Sequence, residues 1–234
     1  MLVTGFPSAV FGTNCYVLAP GAGQECLVVD PGIEVLAQLS EVLREHRLKP
    51  AAVLLTHGHV DHTYSVTPVC GAHGVAAYVH TDDRERLVNP LEEFASTGLL
   101  SMLEQQFGRA ATWAEPTDVV EVGADAVLEL AGLRVRVEHA PGHTEGSVMF
   151  ALEGAPVGAP DDVSRSLLSG DVLFAGSIGR TDLPGGDHAA MLASLRDRVL
   201  TQPDDTLVLP GHGPLTTIGR ERATNPYLRE LLAS

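Results

Sequence analysis

His57-Gly58-His59-Val60-Asp61-His62 follows directly on the apolar run from Ala52 to Thr56, which predicts a buried strand. These six residues hold four side chains that can bind a metal ion. From an extended loop His57 and His59 can turn toward one ion, whereas Asp61 and His62, in the first turn of a helix, can point at a second. Imidazoles combined with a carboxylate suit Zn, Fe or Mn better than Ca or Mg. The hexapeptide therefore predicts two metal ions at a strand end.

Further ligands for two ions follow three later predicted strands. His143, Asp171 and His212 stand in Pro141-Gly142-His143, Ser169-Gly170-Asp171 and Pro210-Gly211-His212. Gly permits a sharp exit from a strand, and functional groups gather on loops that a sheet holds in place. Asp171 can bridge the ions with its two oxygens. The predicted ligand sets are His57, His59, His143 and Asp171 for one ion, and Asp61, His62, His212 and Asp171 for the other.

The segments around these residues predict an α/β protein without internal repeats. Strands are predicted over 14–19, 26–30, 52–56, 76–79, 119–122, 126–130, 133–139, 148–152, 167–169 and 206–209, and helices over 34–46, 62–73, 187–200 and 220–232. We expect Asp187 to cap the third of these helices. Residues Asn89 to Asp118 suit helices and contain nothing that resembles a strand. They predict a helical insertion over about 89–118.

Composition excludes several classes of protein. Lys and Arg number 15 against 30 Asp and Glu, a formal charge of −15, and 44% of the residues are hydrophobic. Disorder is therefore excluded, and so acidic a chain repels nucleic-acid phosphates. Gly and Pro interrupt the uncharged first 24 residues, which predict two buried strands, and no apolar run reaches the length of about 20 residues of a membrane helix. Three unpaired Cys favour a reduced, cytoplasmic location.

The ligand pattern resembles the metallo-β-lactamase fold superfamily, and the resemblance covers essentially the whole chain. It implies an αββα sandwich and one domain, residues 1–234. Glyoxalase II enzymes carry a C-terminal helical domain that helps to hold glutathione, whereas here Ser234 ends the chain soon after His212. We therefore expect the insertion to form a lid or a substrate wall. The segments that resemble the glyoxalase II-like hydrolases are 14–16, 29–32, 141–144, 170–174, 179–183, 209–213 and 225–228.

The resemblance implies a binuclear metal-dependent hydrolase of hydroxyacyl thioesters. Its substrate is a small molecule such as S-D-lactoylglutathione or the ester of another thiol, cleaved to hydroxy acid and free thiol in methylglyoxal detoxification. Two divalent ions, zinc or alternatively Fe or Mn, would lower the pKa of a water toward about 7, and Asp61 would orient that water as the catalytic residue. A thiol with a pKa of about 8.5 leaves without a dedicated general acid. Because the chain has Lys49 as its single Lys against 14 Arg, we expect an Arg to meet any thiol carboxylate.

Other functions use the same residues. A persulfide dioxygenase would hold one Fe(II) on His57, His143 and Asp171. A lactonase-type hydrolase is a further alternative, whereas a β-lactamase is disfavoured because Asp171 stands where many zinc β-lactamases use Cys. The negative charge disfavours a nuclease, and the complete ligand set disfavours a non-catalytic metal-binding module.

Several other polar residues are predicted to have structural roles. We expect Asp30 to be a turn residue or to support a ligand, and Arg180 and Asp182 to form a salt bridge near Asp171. His46, His73, His80 and His188 are expected to be ordinary surface or capping residues, while His139 lies close to His143 in sequence and stays open. The three Cys are expected to be small buried hydrophobes.

Overall fold

Two six-stranded sheets lie face to face in the computed structural model, which describes residues 1–96, 98–108 and 110–233. The first sheet consists of β1 (Leu2–Pro7), β2 (Asn14–Ala19), β3 (Glu25–Val29), β4 (Lys49–Leu54), β5 (Ala77–His80) and β6 (Val119–Val122), in that spatial order. The second consists of β7 (Val127–Leu130), β8 (Leu133–His139), β9 (Val148–Glu153), β10 (Arg165–Gly170), β13 (Thr206–Pro210) and β14 (Thr216–Thr217), in the order β14-β13-β10-β9-β8-β7. A small hairpin pairs β11 (Leu173–Phe174) with β12 (Ser177–Ile178).

Helices cover the outer face of each sheet. They are α1 (Leu36–His46), α2 (Val60–Thr63), α3 (Val66–His73), α4 (Pro90–Ser96), α5 (Leu99–Phe107), α6 (His188–Ser194), α7 (Ile218–Thr224) and α8 (Pro226–Ala233), with a 3-10 helix at Thr81–Leu87 and a π-helical turn at Leu195–Val199. Buried residues of α1 and α3 pack on the first sheet, and those of α6 and α8 pack on the second. The predicted αββα sandwich is therefore confirmed.

The second strand shows why the central strands are apolar throughout. In β2 Cys15 and Val17 point to the helical layer, while Tyr16 and Leu18 point to the second sheet. Alternate side chains of a strand face opposite sides, so a strand covered on both sides needs apolar residues at every position. All six residues of β2 are buried. This double burial places the strand ends rigidly at the edge of the sandwich.

Three predicted helices and the predicted helical insertion differ in detail from the observed structure. The helix predicted over 62–73 is divided into α2 and α3. The tail predicted over 220–232 is divided into α7 and α8 at Asn225, because a residue that precedes a proline, here Pro226, disfavours helical backbone. The helix predicted over 187–200 ends in the π-helical turn, and Asp187 caps it by accepting from the amide of Ala190 at 3.0 Å. The insertion holds α4 and α5, but its residues 110–118 contain no helix.

One edge of the sandwich collects the strand ends that carry polar residues. The pairs β3–β4 and β10–β13 are parallel, so their carboxyl ends lie side by side. Each of these four strands is followed, no more than three residues later, by one polar residue: Asp30, His57, Asp171 or His212. The insertion is anchored beside this edge, where Leu103 of α5 packs with Val10 and Ile33. Among the described residues, no helix has both the length and the apolar character needed to cross a membrane.

Candidate metal centre

The structure brings six of the seven predicted ligands together in two groups of three, and the seventh, Asp171, lies near both. Ligand nitrogens of His57, His59 and His143 lie within 4.8 Å of one another, and the same holds for ligand atoms of Asp61, His62 and His212. Apart from Asp171, these groups are the two sets that the sequence predicts. His57, His62 and Asp171 form a further group that joins them. Their role as metal ligands stays a prediction that this arrangement permits.

Asp171 lies between the two groups. Its Oδ2 is 3.5 Å from Nε2 of His143 in the first group and 3.5 Å from Nε2 of His212 in the second. Its Oδ1 is 3.4 Å from Nε2 of His62. One carboxylate therefore reaches side chains of both sets, as a bridging ligand must.

Hydrogen bonds fix the ring of His57 so that one nitrogen is left for a ligand role. The hydroxyl of Thr56 donates to Oδ2 of Asp30 at 2.7 Å, so its oxygen is free to accept from Nδ1 of His57 at 3.1 Å. A neutral imidazole that donates from Nδ1 has its lone pair on Nε2. Nε2 of His57 is buried and has no hydrogen-bond partner.

Three other histidines are oriented in the same way from outside the centre. His62 donates from Nδ1 to Oδ2 of Asp30 at 3.0 Å, and His143 donates from Nδ1 to the carbonyl of Arg180 at 2.8 Å. His212 donates from Nδ1 to the carbonyl of Phe11 at 3.2 Å. In the neutral form of each ring, Nε2 holds the lone pair and faces the other proposed ligands. Outer hydrogen bonds of this kind orient metal-binding histidines in known sites.

Two buried atoms with unused lone pairs indicate that a cation fits here. Nε2 of His57 and Oδ1 of Asp171 are both buried without a hydrogen-bond partner. Buried polar atoms are nearly always satisfied, so each exception needs an explanation. Nδ1 of His59 also lies only 2.9 Å from Nε2 of His143. The nitrogen atoms of His57, His59 and His143, together with the carboxylate of Asp171, form a donor set that suits a divalent transition metal.

The pKa values of the proposed ligands indicate which side chains hold a proton when no metal ion is bound. Burial favours neutral His62, but Asp61 and Asp171 outweigh it and raise the pKa of His62 well above 6.5. Burial would raise the pKa of Asp171, yet the charges of the neighbouring histidines lower it to about 2. The pKa of His57 is lowered well below 6.5 by burial and by the other histidines. His57 is therefore neutral and can bind a metal at neutral pH.

The loop that carries His212 is held by the N-terminal strands. The side-chain amide of Asn14 donates to the carbonyls of Pro210 at 2.9 Å and Gly213 at 3.0 Å. The hydroxyl of Tyr16 donates to the same Pro210 carbonyl at 2.9 Å. A Cβ atom on Gly211 would lie 2.2 Å from Oδ1 of Asp171, so only glycine allows this close approach.

Asp83, which sequence reasoning missed, ties together the loops of the first ligand group. Its fully buried carboxylate accepts from the amide of Gly58 at 2.7 Å, the amide of Gly146 at 2.8 Å and the hydroxyl of Thr144 at 2.8 Å. It thereby connects the loop of His57 and His59 to the loop after His143. In sequence Asp83 belongs to the polar run 81–86, which has no feature that distinguishes it from a solvated helix.

A cavity of about 220 Å³ opens onto the proposed ligands. His59, Asp61, His143, Asp171 and His212 form one side of it. The other side is apolar and comes largely from the insertion and the N-terminal loop: Phe11, Pro90, Phe94, Leu99 and Leu183, with Gly58, Val60 and Arg180 completing the lining.

Several of the predicted structural roles are observed. Arg180 and Asp182 form the expected salt bridge, with both hydrogen bonds at 2.7 Å, and the three Cys are buried. His80 takes the capping role, since its Nδ1 accepts from the amide of Asp82 at 3.3 Å at the start of the 3-10 helix. It is 4% exposed and stacks on His139 with ring centroids 4.0 Å apart.

Comparison with known proteins places these features in a family. The model of the metallo-beta-lactamase superfamily matches residues 9–212. An uncharacterized protein of Mycobacterium leprae is 44% identical over 99% of this chain and 100% of its own length. The hydroxyacylglutathione hydrolase GloC of Haemophilus influenzae is 32% identical over 95% of both chains.

Two solved structures share the whole fold. The B3 metallo-beta-lactamase BLEG-1 superposes with a TM-score of 0.79 at 38% identity, covering 97% of this chain and 99% of its own. TTHA1623 in a di-iron-bound form superposes with a TM-score of 0.72 at 34% identity, covering 96% of this chain and 100% of its own.

Proposed function

Because the chain belongs to the metallo-beta-lactamase superfamily of metal-dependent hydrolases, we propose that it hydrolyses hydroxyacyl thioesters with two divalent metal ions. The observation that carries the proposal is the position of Asp171, which reaches side chains of both ligand groups. The similarity to the GloC hydrolase over 95% of both chains supports the same reaction class. TTHA1623 holds two irons, so zinc and iron are both candidate metals.

Bound in these two groups, divalent cations would supply a water of lowered pKa and would polarise the substrate carbonyl. The residues of the chain position the reactants. Oδ2 of Asp61 accepts from the hydroxyl of Thr13 at 2.8 Å and lies 3.3 Å from Nε2 of His212. Because Asp61 also lines the cavity, its carboxylate is placed to orient the attacking water by accepting one of its protons.

The cavity favours a leaving group that needs no proton. Among the described residues that line it, each titratable side chain except Arg180 belongs to the proposed ligand set. A leaving amine must be protonated as the bond breaks, whereas a thiol with a pKa of about 8.5 can depart as thiolate. With no separate acid in the described lining, the site suits thioesters better than amides.

Hydrolysis of S-D-lactoylglutathione and S-D-lactoyl-N-acetylcysteamine by the metal-analysed protein tests the proposal. We expect release of free thiol by protein holding two metal ions, and loss of at least about a hundredfold in kcat in Asp171→Ala, because both ions lose a shared ligand. Glu138→Gln is a matched control, since it neutralises a buried carboxylate that contacts Arg136 and Arg198 instead. No turnover of either ester with two metals present would refute the thioesterase.

Hydrolysis of β-lactams is a second candidate activity, because BLEG-1 is 38% identical over nearly the whole chain. A β-lactam is an amide whose nitrogen must be protonated when the ring opens, and the described cavity supplies no separate acid for that step. We therefore expect β-lactam turnover to be much slower than thioester turnover. One bound iron, oxygen consumption with a persulfide substrate and no ester hydrolysis would favour a dioxygenase instead.

A further inference from the structure

The cavity wall opposite the proposed ligands is built for an uncharged group. The ring of Phe94 from α4 meets the ring of Phe11 edge to face, with centroids 5.6 Å apart and planes at 89°. Leu99 of α5, Pro90 and Leu183 continue this wall. A substrate group against these side chains gives up its water and gains apolar contact, which favours apolar or neutral amide groups over charged ones.

Arg180 is the one cation among the described residues that line the cavity, and its charge is already matched. Its Nε and one terminal nitrogen each donate to the carboxylate of Asp182 at 2.7 Å. Bidentate pairs of this kind are among the stronger hydrogen bonds in proteins. Asp182 offsets the charge of Arg180, so a substrate carboxylate gains less from this side chain than from an unpaired arginine.

Arg86, the next cation behind the cavity, is engaged as well. It lies under Gly58, where a Cβ atom would approach Cβ of Arg86 to 2.6 Å. Its guanidinium contacts Asp83 at 3.3 Å and Glu145 at 2.6 Å, and it donates to the carbonyl of Pro184 at 3.0 Å. These partners offset its charge, and Arg86 is not among the described residues that line the cavity.

From this lining we infer that the enzyme prefers thioesters of an uncharged thiol over those of glutathione, and that the wall of Phe11, Phe94 and Leu99 makes the selection. The inference rests on the proposed thioester hydrolysis. Glutathione carries two carboxylates and one ammonium group, whereas an N-acylated aminothiol carries none of these. The charge of −15 on the chain adds a longer-range repulsion against an anionic thiol.

Steady-state kinetics with the two D-lactoyl thioesters tests this preference, because they differ in the thiol alone. We expect kcat/KM to be at least about tenfold higher for S-D-lactoyl-N-acetylcysteamine, mostly through a lower KM. Equal values, or a preference for the glutathione ester, would overturn the inference and leave the thioesterase intact. Turnover of neither ester would instead defeat the proposed function itself.

A matched pair of variants separates the cavity wall from the overall charge. Leu99→Arg places a cation in the wall, and we expect it to narrow the preference for the neutral ester about tenfold. Met102→Arg places the same charge on the same helix, at a side chain that is 59% exposed and outside the cavity lining. It should leave the ratio within about twofold. Equal effects of the two variants would contradict selection by the wall.

Arg109 provides a further test, since it is the single Arg of the insertion sequence and lies outside the described residues. Arg109→Ala should leave the ratio of kcat/KM values unchanged. A selective loss of activity toward the glutathione ester would show that this arginine recognises a thiol carboxylate and would overturn the inference.

Discussion

Substitution of Asp30 by Asn tests whether a residue outside the ligand set prepares His62 for metal binding. Asp30 is 2% exposed. Its Oδ1 accepts from the amide of Thr56 at 2.8 Å, and its Oδ2 accepts from the hydroxyl of Thr56 at 2.7 Å and from Nδ1 of His62 at 3.0 Å. Asn has the same shape, but one of its two terminal atoms is a donor and cannot accept these bonds.

The geometry sets the expected magnitude. If the amide oxygen faces the Thr56 amide, the NH₂ group faces His62, whose proton must then move to Nε2, where the ion should bind. If the amide group is reversed, the buried Thr56 N–H loses its acceptor at a cost of about 1–3 kcal/mol. Loss of an outer partner of a metal-binding histidine costs about 10–100-fold in metal affinity. We therefore expect Asp30→Asn to weaken binding of one of the two ions about 10–100-fold.

Competition with a chelator of known zinc affinity, followed by metal analysis, measures this effect. Glu138→Gln is the matched control, because it also neutralises a buried carboxylate, paired with Arg136 and Arg198 away from the proposed ligands. The control should alter the free energy of unfolding but bind both ions normally. If Asp30→Asn binds two ions within about twofold of the wild-type affinity, the reasoning about His62 is wrong.

Two other predictions concern the insertion and the protons of the site. Leu103→Ala removes a fully buried side chain that packs with Val10 and Ile33. We expect chemical denaturation to show a loss of about 2–5 kcal/mol in the free energy of unfolding, against less than about 0.5 kcal/mol for Met102→Ala, whose side chain is exposed. Equal losses in the two variants would contradict this packing. Metal affinity should rise with pH from 6 to 8, because the pKa of metal-free His62 lies well above 6.5 and its proton must leave before an ion binds. Each displaced proton contributes about tenfold per pH unit, which titrations with buffered zinc at pH 6, 7 and 8 will detect, and a flat profile would show that His62 binds without losing a proton.

The sequence predicted which residues converge in the candidate metal centre because their signals are local. His57, His59, Asp61 and His62 lie in one hexapeptide, and each of the other ligands follows a glycine at a strand end. Parallel strands bring such ends to one edge regardless of their separation in sequence. The sandwich and the position of the ligands therefore follow from periodicity, strand ends and residue type together.

The residues that orient the ligands were not predictable in this way. Asp83 reaches Gly146 across 63 positions, and Thr13 reaches Asp61 across 48. Neither has a sequence pattern, because each contact exists only after both loops are placed. The division of the helix predicted over 62–73 has both a local and a tertiary cause. Pro68 has no N–H to continue the helix that begins at α2. The amide of Ser65 also donates to the carbonyl of Pro31 at 2.9 Å, and its hydroxyl donates to that of Gly32 at 2.6 Å.

The insertion was predicted as helical throughout because apolar spacing does not distinguish a helix from a packed, irregular segment. Its residues 110–118 instead lie along the first sheet, where the indole of Trp113 donates to the carbonyl of Leu87 at 2.9 Å. Trp113 also packs against the core under α1 and α3. Trp113, with the Arg84–Glu115 ion pair and the hydrogen bond from Thr67 to the carbonyl of Ala114, therefore holds this segment without backbone periodicity.

Phe11 contacts both the proposed ligands and the apolar wall of the cavity, which otherwise come from different segments of the chain. Its carbonyl accepts from Nδ1 of His212, and its ring packs on Phe94 of the insertion. Its backbone lies in the left-handed region with φ of 62°, which non-glycine residues adopt only when surrounding contacts hold them there. Replacement of side chains on α4 or α5 changes what the cavity accepts while the strand ends keep the ligands in place. A change that releases Phe11 acts on both, because the same residue supplies the aromatic wall and the acceptor that orients His212.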